Sequence, residues 1–393
     1  MLHASHFVCQ TLFFQHGWHV IWVLTAGYGD GHNTAARCVG EALRREAPAE
    51  QVIVSDLVSE VHPFLAHLSQ SAYRIAIIRF PWAWRAFYQW LARPGIGAKS
   101  AAWMQPLLDA MEHRIRTERP PVIVSTYPFY AAALQVLRRK GVPVPPLVTV
   151  ITDSVTVHPI WMSAPSDLYL VADEETRQVV TGAYGISADK VKVTGFPVSL
   201  EFLQAPEAPA ADGSRHRVLY FPSTPAHHVA ETLEALKPQL LNGVKLTMPV
   251  GKHGSRLYHA LRRFTDANPA ARVELIGWTQ RIPELLQTHD LIITKAGGAI
   301  LHEVLAARIP PVIDYVVPGQ EEGNAEMVLK HQCGLRSLTP QETADCVRRL
   351  LANDAAEARS LRENMRALSI PDAAVRSARA VLQMAGGGPA AEG

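Results

Sequence analysis

Two stretches of this chain read alike: Val20-Ile-Trp-Val-Leu-Thr-Ala-Gly-Tyr-Gly-Asp-Gly-His32 and Leu291-Ile-Ile-Thr-Lys-Ala-Gly-Gly-Ala-Ile-Leu-His-Glu303. Each passes from an apolar, β-branched run through a glycine turn into a helical pattern. A strand, a glycine turn and a helix start gather backbone N–H groups and a positive dipole end around an anion. Their recurrence in the two halves predicts two similar domains facing across a cleft, with a nucleotide-activated substrate held against an acceptor.

The pattern extends outward from both stretches. Val52–Ser55, Val122–Ser125, Leu147–Thr152 and Leu168–Val171 read as buried strands of the first half. Val218–Phe221, Lys245–Pro249, Val273–Ile276, Leu291–Thr294 and Val312–Tyr315 do so in the second. Helical patterns lie between them: Thr34–Glu46, Tyr130–Lys140, Val229–Leu240 and Leu301–Ala307. This alternation predicts an α/β chain with two doubly wound parallel sheets. The expected division is an extension at 1–18, a first domain at 19–203, a Pro/Ala-rich linker at 204–216, a second domain at 217–385 and a small, polar, disordered tail at 386–393.

A length of 393 residues suffices for two cored domains. The net charge of +2 argues against a dedicated nucleic-acid binder. Cys9, Cys38, Cys333 and Cys346 form no C-x-x-C pair, which fits a reducing compartment. No apolar run reaches the ~20 residues of a membrane-spanning helix, and the histidine-containing N-terminus lacks the basic start of a signal peptide.

One segment departs from the alternation. Between Val61 and Leu108 there is no Asp or Glu, while Arg74, Arg79, Arg85, Arg93 and Lys99 accompany Trp82, Trp84, Trp90 and Trp103, half of the eight tryptophans. Trp, Arg and missing acids suit helices lying in the headgroup layer of an anionic membrane. Aromatic packing on the first domain is the alternative.

In the first turn, Gly27, Gly29 and Gly31 alternate, a spacing that is neither the dinucleotide fingerprint nor a Walker loop. His32 follows at a helix start, where a neutral imidazole can take a proton from an acceptor hydroxyl; a capping or core histidine is the other reading. In the second turn, Gly297 and Gly298 offer amides to a diphosphate, and Glu303, one turn on, offers a carboxylate to ribose hydroxyls. Pro318-Gly-Gln-Glu-Glu-Gly-Asn324 follows a strand, where α/β sheets bind ligands, and its mixed donors and acceptors suit a sugar. Asp153 ends another strand and is read either as a partner or substitute base for His32, or as a cap. No Asp-x-Asp occurs and no histidine pair has zinc spacing, so the expectation is chemistry without a metal or other cofactor.

Ala26-Gly-Tyr-Gly-Asp-Gly-His, Ile151-Thr-Asp, His158, Thr194-Gly-Phe-Pro-Val, Ile293-Thr-Lys-Ala-Gly-Gly and Pro318-Gly-Gln-Glu-Glu-Gly-Asn occur in that order. Together they resemble the monogalactosyldiacylglycerol synthase and processive diacylglycerol glucosyltransferase family, relatives of the N-acetylglucosaminyltransferase of peptidoglycan synthesis. The resemblance covers roughly Val20 to Ala385. It implies a GT-B fold, whose last helix returns to the first domain. It also implies metal-independent, inverting transfer of a hexose from a UDP-sugar to diacylglycerol or a similar lipid. It places such an enzyme in the cytoplasm, peripheral on the inner face of the cell membrane. By matched position, His32 is implied as base, Gly297 and Gly298 as the diphosphate turn, Glu303 as the ribose ligand, and Gln320, Glu321 and Asn324 as the sugar loop. Trp82, Trp84, Arg85 and Trp90 fall in the implied membrane-docking region.

Two departures from the family pattern fall on the donor side. Phe221-Pro-Ser-Thr-Pro-Ala-His-His228 stands where a glycine-rich loop is usual, leaving Ser223, Thr224 or the histidines His227 and His228 to contact the phosphate. Ser199 follows Gly-Phe-Pro-Val where arginine is usual, leaving Arg215, Arg217 or Lys252 to supply a cation. The rival readings are a UDP-sugar 2-epimerase-like enzyme and a catalytically inactive nucleotide- or lipid-binding protein.

Overall fold

The computed structural model describes residues 20–79, 82, 86, 104–204, 213–251, 254–318 and 321–386. The 1–18 extension, most of the 204–216 linker, nearly all of the 386–393 tail, and Trp84, Arg85, Trp90, Lys252 and Gln320 lie outside the described residues.

Strand β1 (Val20–Leu24) is buried at all five positions. Such a run has no wet face and belongs in the middle of a parallel sheet covered on both sides. It pairs in parallel with β2 (Gln51–Ser55) and β3 (Ile123–Ser125), and β4 (Leu147–Val150), β5 (Leu168–Val171) and β6 (Val191–Val193) extend the sheet in the order β2-β1-β3-β4-β5-β6. The second sheet holds β7 (His216–Tyr220), β8 (Val244–Pro249), β9 (Arg272–Ile276), β10 (Leu291–Lys295), β11 (Pro311–Tyr315) and β12 (Leu335–Arg336) in the order β12-β11-β10-β7-β8-β9. Both six-stranded sheets are parallel throughout, as the apolar runs predict.

Each sheet reverses its winding once. In the first the reversal falls between β1 and β3, in the second between β7 and β10. Such switch points leave a crevice at the carboxyl ends of the strands. The turn from Gly27 to His32 follows β1, the Pro222–Pro225 turn follows β7, and the Gly297–Gly298 turn follows β10, so all three candidate loops open at a crevice.

Helix α1 (Asp30–Glu46) begins inside the first glycine turn, four residues earlier than its apolar periodicity suggests. It buries Ala35, Ala36, Cys38, Val39, Ala42 and Leu43 along one stripe. The last helix, α13 (Ala373–Gly386), crosses back and packs on α1. Ala374, Ala378 and Val381 share a cluster with Val39, Ala42 and Leu43, and Ser377 Oγ donates to Thr194 Oγ1 at 3.0 Å. Another apolar cluster spans the domain boundary, joining Ala35, Phe196 and Val198 to Leu301, Ile313 and Met365.

Candidate active site

His32 is the third residue of α1, and its backbone carbonyl accepts from the Thr126 hydroxyl at 3.0 Å. Its Nδ1 lies 2.8 Å from the Thr126 carbonyl oxygen and 2.9 Å from Thr152 Oγ1. A carbonyl can only accept, so the ring proton resides on Nδ1 and the lone pair on Nε2. Tyr127 meets the ring edge-on at 5.0 Å between centroids, and Trp161 lies 5.9 Å away. This packing desolvates the imidazole and lowers its pKa below 6.5, against opposing pulls from the Asp153 charge and the Thr126 bond. The ring is therefore neutral at pH 7, as a general base requires.

Asp153 is not bonded to His32. Its Oδ2 accepts from Trp161 Nε1 at 2.8 Å and from the His158 amide at 3.1 Å. It acts on the imidazole only through its charge, and the orienting role belongs to Thr126 and Thr152.

Two hydrogen bonds and a ring contact hold the glycine turn itself. Gly27 N donates to Asp56 Oδ2 at 3.0 Å, Tyr28 Oη and Ser69 Oγ are 2.8 Å apart, and Tyr28 stacks on Tyr127. Gly29 carries φ 107°, the left-handed region open to glycine. Ser69 belongs to helix α3 (Pro63–Arg79), the first part of the acid-free segment. Phe64, Leu65 and Leu68 on α3 are exposed, Phe64 by 76%, and Trp82 beyond it by 75%.

The second turn faces the first. Helix α10 (Gly298–Ala307) starts behind Gly297 with no side-chain cap, leaving its first N–H groups free among the described residues. A Cβ on Gly31 would lie 4.0 Å from Ala299 Cβ, and one on Gly298 would lie 3.5 Å from the Thr152 carbonyl and 3.6 Å from Asn324 Nδ2. Asn324 Nδ2 donates to the Ala296 carbonyl at 3.0 Å, fixing the turn from below. Behind the contact, Ser154 Oγ bonds His302 Nε2 at 2.7 Å across the domains, and His302 stacks flat on Phe196 at 4.9 Å. That bond borders a separate interdomain cavity of about 310 Å³ lined by Val155, Phe196, Leu305 and Met327.

Sequence reasoning passed over Lys295, although it stands directly before the turn. Its ammonium lies 2.9 Å from where a Cβ on Gly297 would be and pairs with Glu321. Glu321 is buried, and its second oxygen accepts from the Val317 amide at 3.1 Å. Glu321 thus anchors the lysine and the loop.

Glu303 turns toward α1 of the first domain. Burial pushes its carboxyl up to about 7, and only the Arg37 guanidinium pulls it back. Ser223 and Thr224 diverge: Ser223 is exposed at the crevice, whereas Thr224 is 1% exposed and points into the second domain. Helix α7 (Ala226–Leu241) behind them also lacks a side-chain cap at its start. Ser199 is buried and caps a short helical turn, its Oγ accepting from Glu201 N at 3.3 Å. Among the described residues, no three His, Cys, Asp or Glu side chains gather as metal ligands, and no helix is long and apolar enough to cross a membrane.

Residues 32–198 match the family described as monogalactosyldiacylglycerol (MGDG) synthase. A processive diacylglycerol beta-glucosyltransferase of Bacillus cytotoxicus is 28% identical over 315 residues, covering 78% of each chain. One from Bacillus cereus is 26% identical over 369 residues, covering 92% of this chain and 93% of its own. Among solved structures, MurG of Acinetobacter baumannii superposes with a TM-score of 0.59 at 14% identity, over 93% of this chain and all of its own. Os79 of O. sativa in complex with UDP reaches 0.63 at 14% identity, over 93% of this chain and 99% of its own. These two are likenesses of fold, the GT-B fold of two sheets facing across a cleft. The chain thus carries the MGDG synthase match over residues 32–198, is similar over most of its length to processive diacylglycerol beta-glucosyltransferases, and has the GT-B fold, which together support a lipid glycosyltransferase.

Proposed function

We propose that the protein transfers a hexose from a UDP-sugar to the hydroxyl of diacylglycerol or a similar lipid, with inversion and without a metal. The observation that carries the reading is the opposition of His32 and the α10 start across the contact of Thr152 with Gly298. His32 Nε2, bare of bonds among the described residues, takes the proton from the acceptor hydroxyl. That oxygen bonds to the anomeric carbon as the bond from this carbon to the diphosphate oxygen breaks. The departing diphosphate collects the negative charge. Free N–H groups at Gly298 and beyond, the Lys295 ammonium and the uncapped start of α7 are the groups that stabilise it. Ser223 and the α7 start replace a glycine loop. Glu303 receives the ribose, and its raised pKa suits a carboxyl that sheds its proton as it accepts hydroxyl bonds.

The lipid arrives from the α3 side. An exposed apolar edge of Phe64, Leu65 and Leu68, tied to the glycine turn through Ser69 and Tyr28, suits a protein seated on an anionic membrane surface.

The deciding experiment mixes the protein with diacylglycerol in anionic liposomes and, separately, UDP-glucose, UDP-galactose and UDP-N-acetylglucosamine, with EDTA present. Mass spectrometry should find a lipid heavier by one or more hexose units from one donor. Free sugar or an epimerised nucleotide sugar, with the lipid unchanged, would refute the transfer. In the same assay, Phe64→Ser/Leu68→Ser should sediment less with liposomes and lose rate on them.

A further inference from the structure

We propose that Asp314 is a positioning residue for the donor: together with Tyr220 and Thr224 it anchors the Pro222–Pro225 turn so that Ser223 faces the crevice. This rests on the donor-side reading above.

The placement of Asp314 is unusual. It sits in β11 within Val312-Ile-Asp-Tyr315, 5% exposed, on the sheet face that carries Val312. Tyr220, fully buried at the end of β7, reaches toward it on the same face, over Ile293 of the intervening β10. The Thr224 and Thr232 hydroxyls adjoin the Tyr220 phenol. Among the described residues neither Asp314 oxygen, nor Tyr220 Oη, nor Thr224 Oγ1 completes a hydrogen bond. Thr232, by contrast, is satisfied, donating to the His228 carbonyl at 2.8 Å.

A buried carboxyl in an apolar cluster is costly, and a leucine of similar volume would pack there more favourably. Burial lifts the Asp314 pKa to about 7, with the Tyr220 contact opposing. The orphaned groups nonetheless suffice for a chain: the Tyr220 phenol faces the Asp314 carboxyl, and the Thr224 hydroxyl faces the phenol. Closing the Thr224–Tyr220 and Tyr220–Asp314 bonds would link the turn to the carboxyl through the phenol. Thr224 is the only member carried by the turn, and Pro222 and Pro225 flank it at fixed φ, so the turn follows Thr224 as a unit. Ser223, next to Thr224, has its amide spent on the Phe221 carbonyl at 2.8 Å, which leaves its hydroxyl for a ligand. The first N–H groups of α7 follow immediately. A carboxyl two strands away thereby sets the height of the hydroxyl and amides that meet the diphosphate.

The test compares wild type with Asp314→Leu, Tyr220→Phe and the double variant, reading donor KM, acceptor KM, kcat, Tm and the Kd for UDP by calorimetry. Asp314→Leu should raise donor KM and the UDP Kd about tenfold, leave acceptor KM in place, change kcat less than about threefold, and keep or raise Tm. Tyr220→Phe should raise donor KM about threefold, and the double variant should equal Asp314→Leu, because both changes break one network. A UDP Kd and donor KM within twofold of wild type in both single variants would overturn the proposal. So would a fall in Tm accompanied by equal losses in both KM values and kcat, the pattern of a purely structural role. Should Asp314→Leu not fold, Tyr220→Phe decides alone by the same readings. Gly298→Ala and Ser223→Ala serve as controls: if they too leave the UDP Kd unchanged, the donor-side reading fails; if they weaken UDP while Asp314→Leu does not, only the anchor fails.

Discussion

The carbonyl oxygen of Thr152 stands 3.5 Å from the point where a Cβ on Gly298 would lie, while the hydroxyl of the same threonine is 2.9 Å from His32 Nδ1. One strand end of the first domain thus touches both His32 and the opposing turn. A methyl at Gly298 makes ordinary contacts there, so Gly298→Ala should fold with a Tm within about 2 °C of wild type. It nevertheless crowds the free amides of α10, and UDP affinity should fall about tenfold or more. Unaltered UDP binding would remove the turn from the donor site.

His32 carries the clearest pH signature. Desolvation holds its pKa below 6.5, so the acid limb of kcat/KM should lie below that value. Asp153 raises the same pKa, so Asp153→Asn should move the limb to still lower pH; an upward move would contradict the electrostatic role assigned to it. His32→Ala should cost about 100-fold or more in kcat with donor KM little changed, and an unchanged kcat would exclude the histidine as base.

Lys295 and Glu321 separate chemistry from stability. Lys295→Met removes a charge beside the Gly297–Gly298 turn and strands a buried carboxylate, so both kcat and Tm should fall, kcat by about 100-fold. Adding Glu321→Gln should restore Tm without restoring kcat. Recovery of both would mean that the lysine serves only the loop.

Stability should also depend on pH in a definite direction. Asp314 and Glu303 keep their protons up to about 7 in the folded chain, against ordinary values of 3.8 and 4.5. Between about pH 4 and 7 the unfolded chain binds fewer protons than the folded one, so these groups make stability fall as pH rises and level off once both are ionised. Glu303→Gln should therefore raise the ligand-free Tm more at pH 8 than at pH 5. The same gain at both pH values would show that Glu303 titrates normally.

Much of this was legible in the sequence. The runs at Val20 and Leu291 are apolar at successive positions because their strands are covered on both faces, and each glycine turn marks where a strand meets a helix. The same double coverage hid Asp314: without an alternating pattern, one polar residue among apolar ones carries no sign of its surroundings. Ser223 and Thr224 were read as equals because an irregular turn has no period to separate outward from inward. Lys295 and Glu321, 26 residues apart, meet because β10, which ends on Lys295, neighbours β11, and the loop after β11 carries Glu321. Residue type alone leaves Asp153 open between a partner or substitute for His32 and a cap; the geometry gives its carboxylate to Trp161 and the His158 amide.

The return of α13 to α1 bears on how the protein is made. During translation the first domain emerges long before the helix that covers Val39, Ala42 and Leu43, so its core stays unfinished until the whole second domain and this helix have been made. A premature stop or a protease cut anywhere in the second domain would release a first domain with a bare apolar face. Truncated products of this chain should accordingly appear as aggregates or chaperone clients, even when they contain every residue of the first sheet.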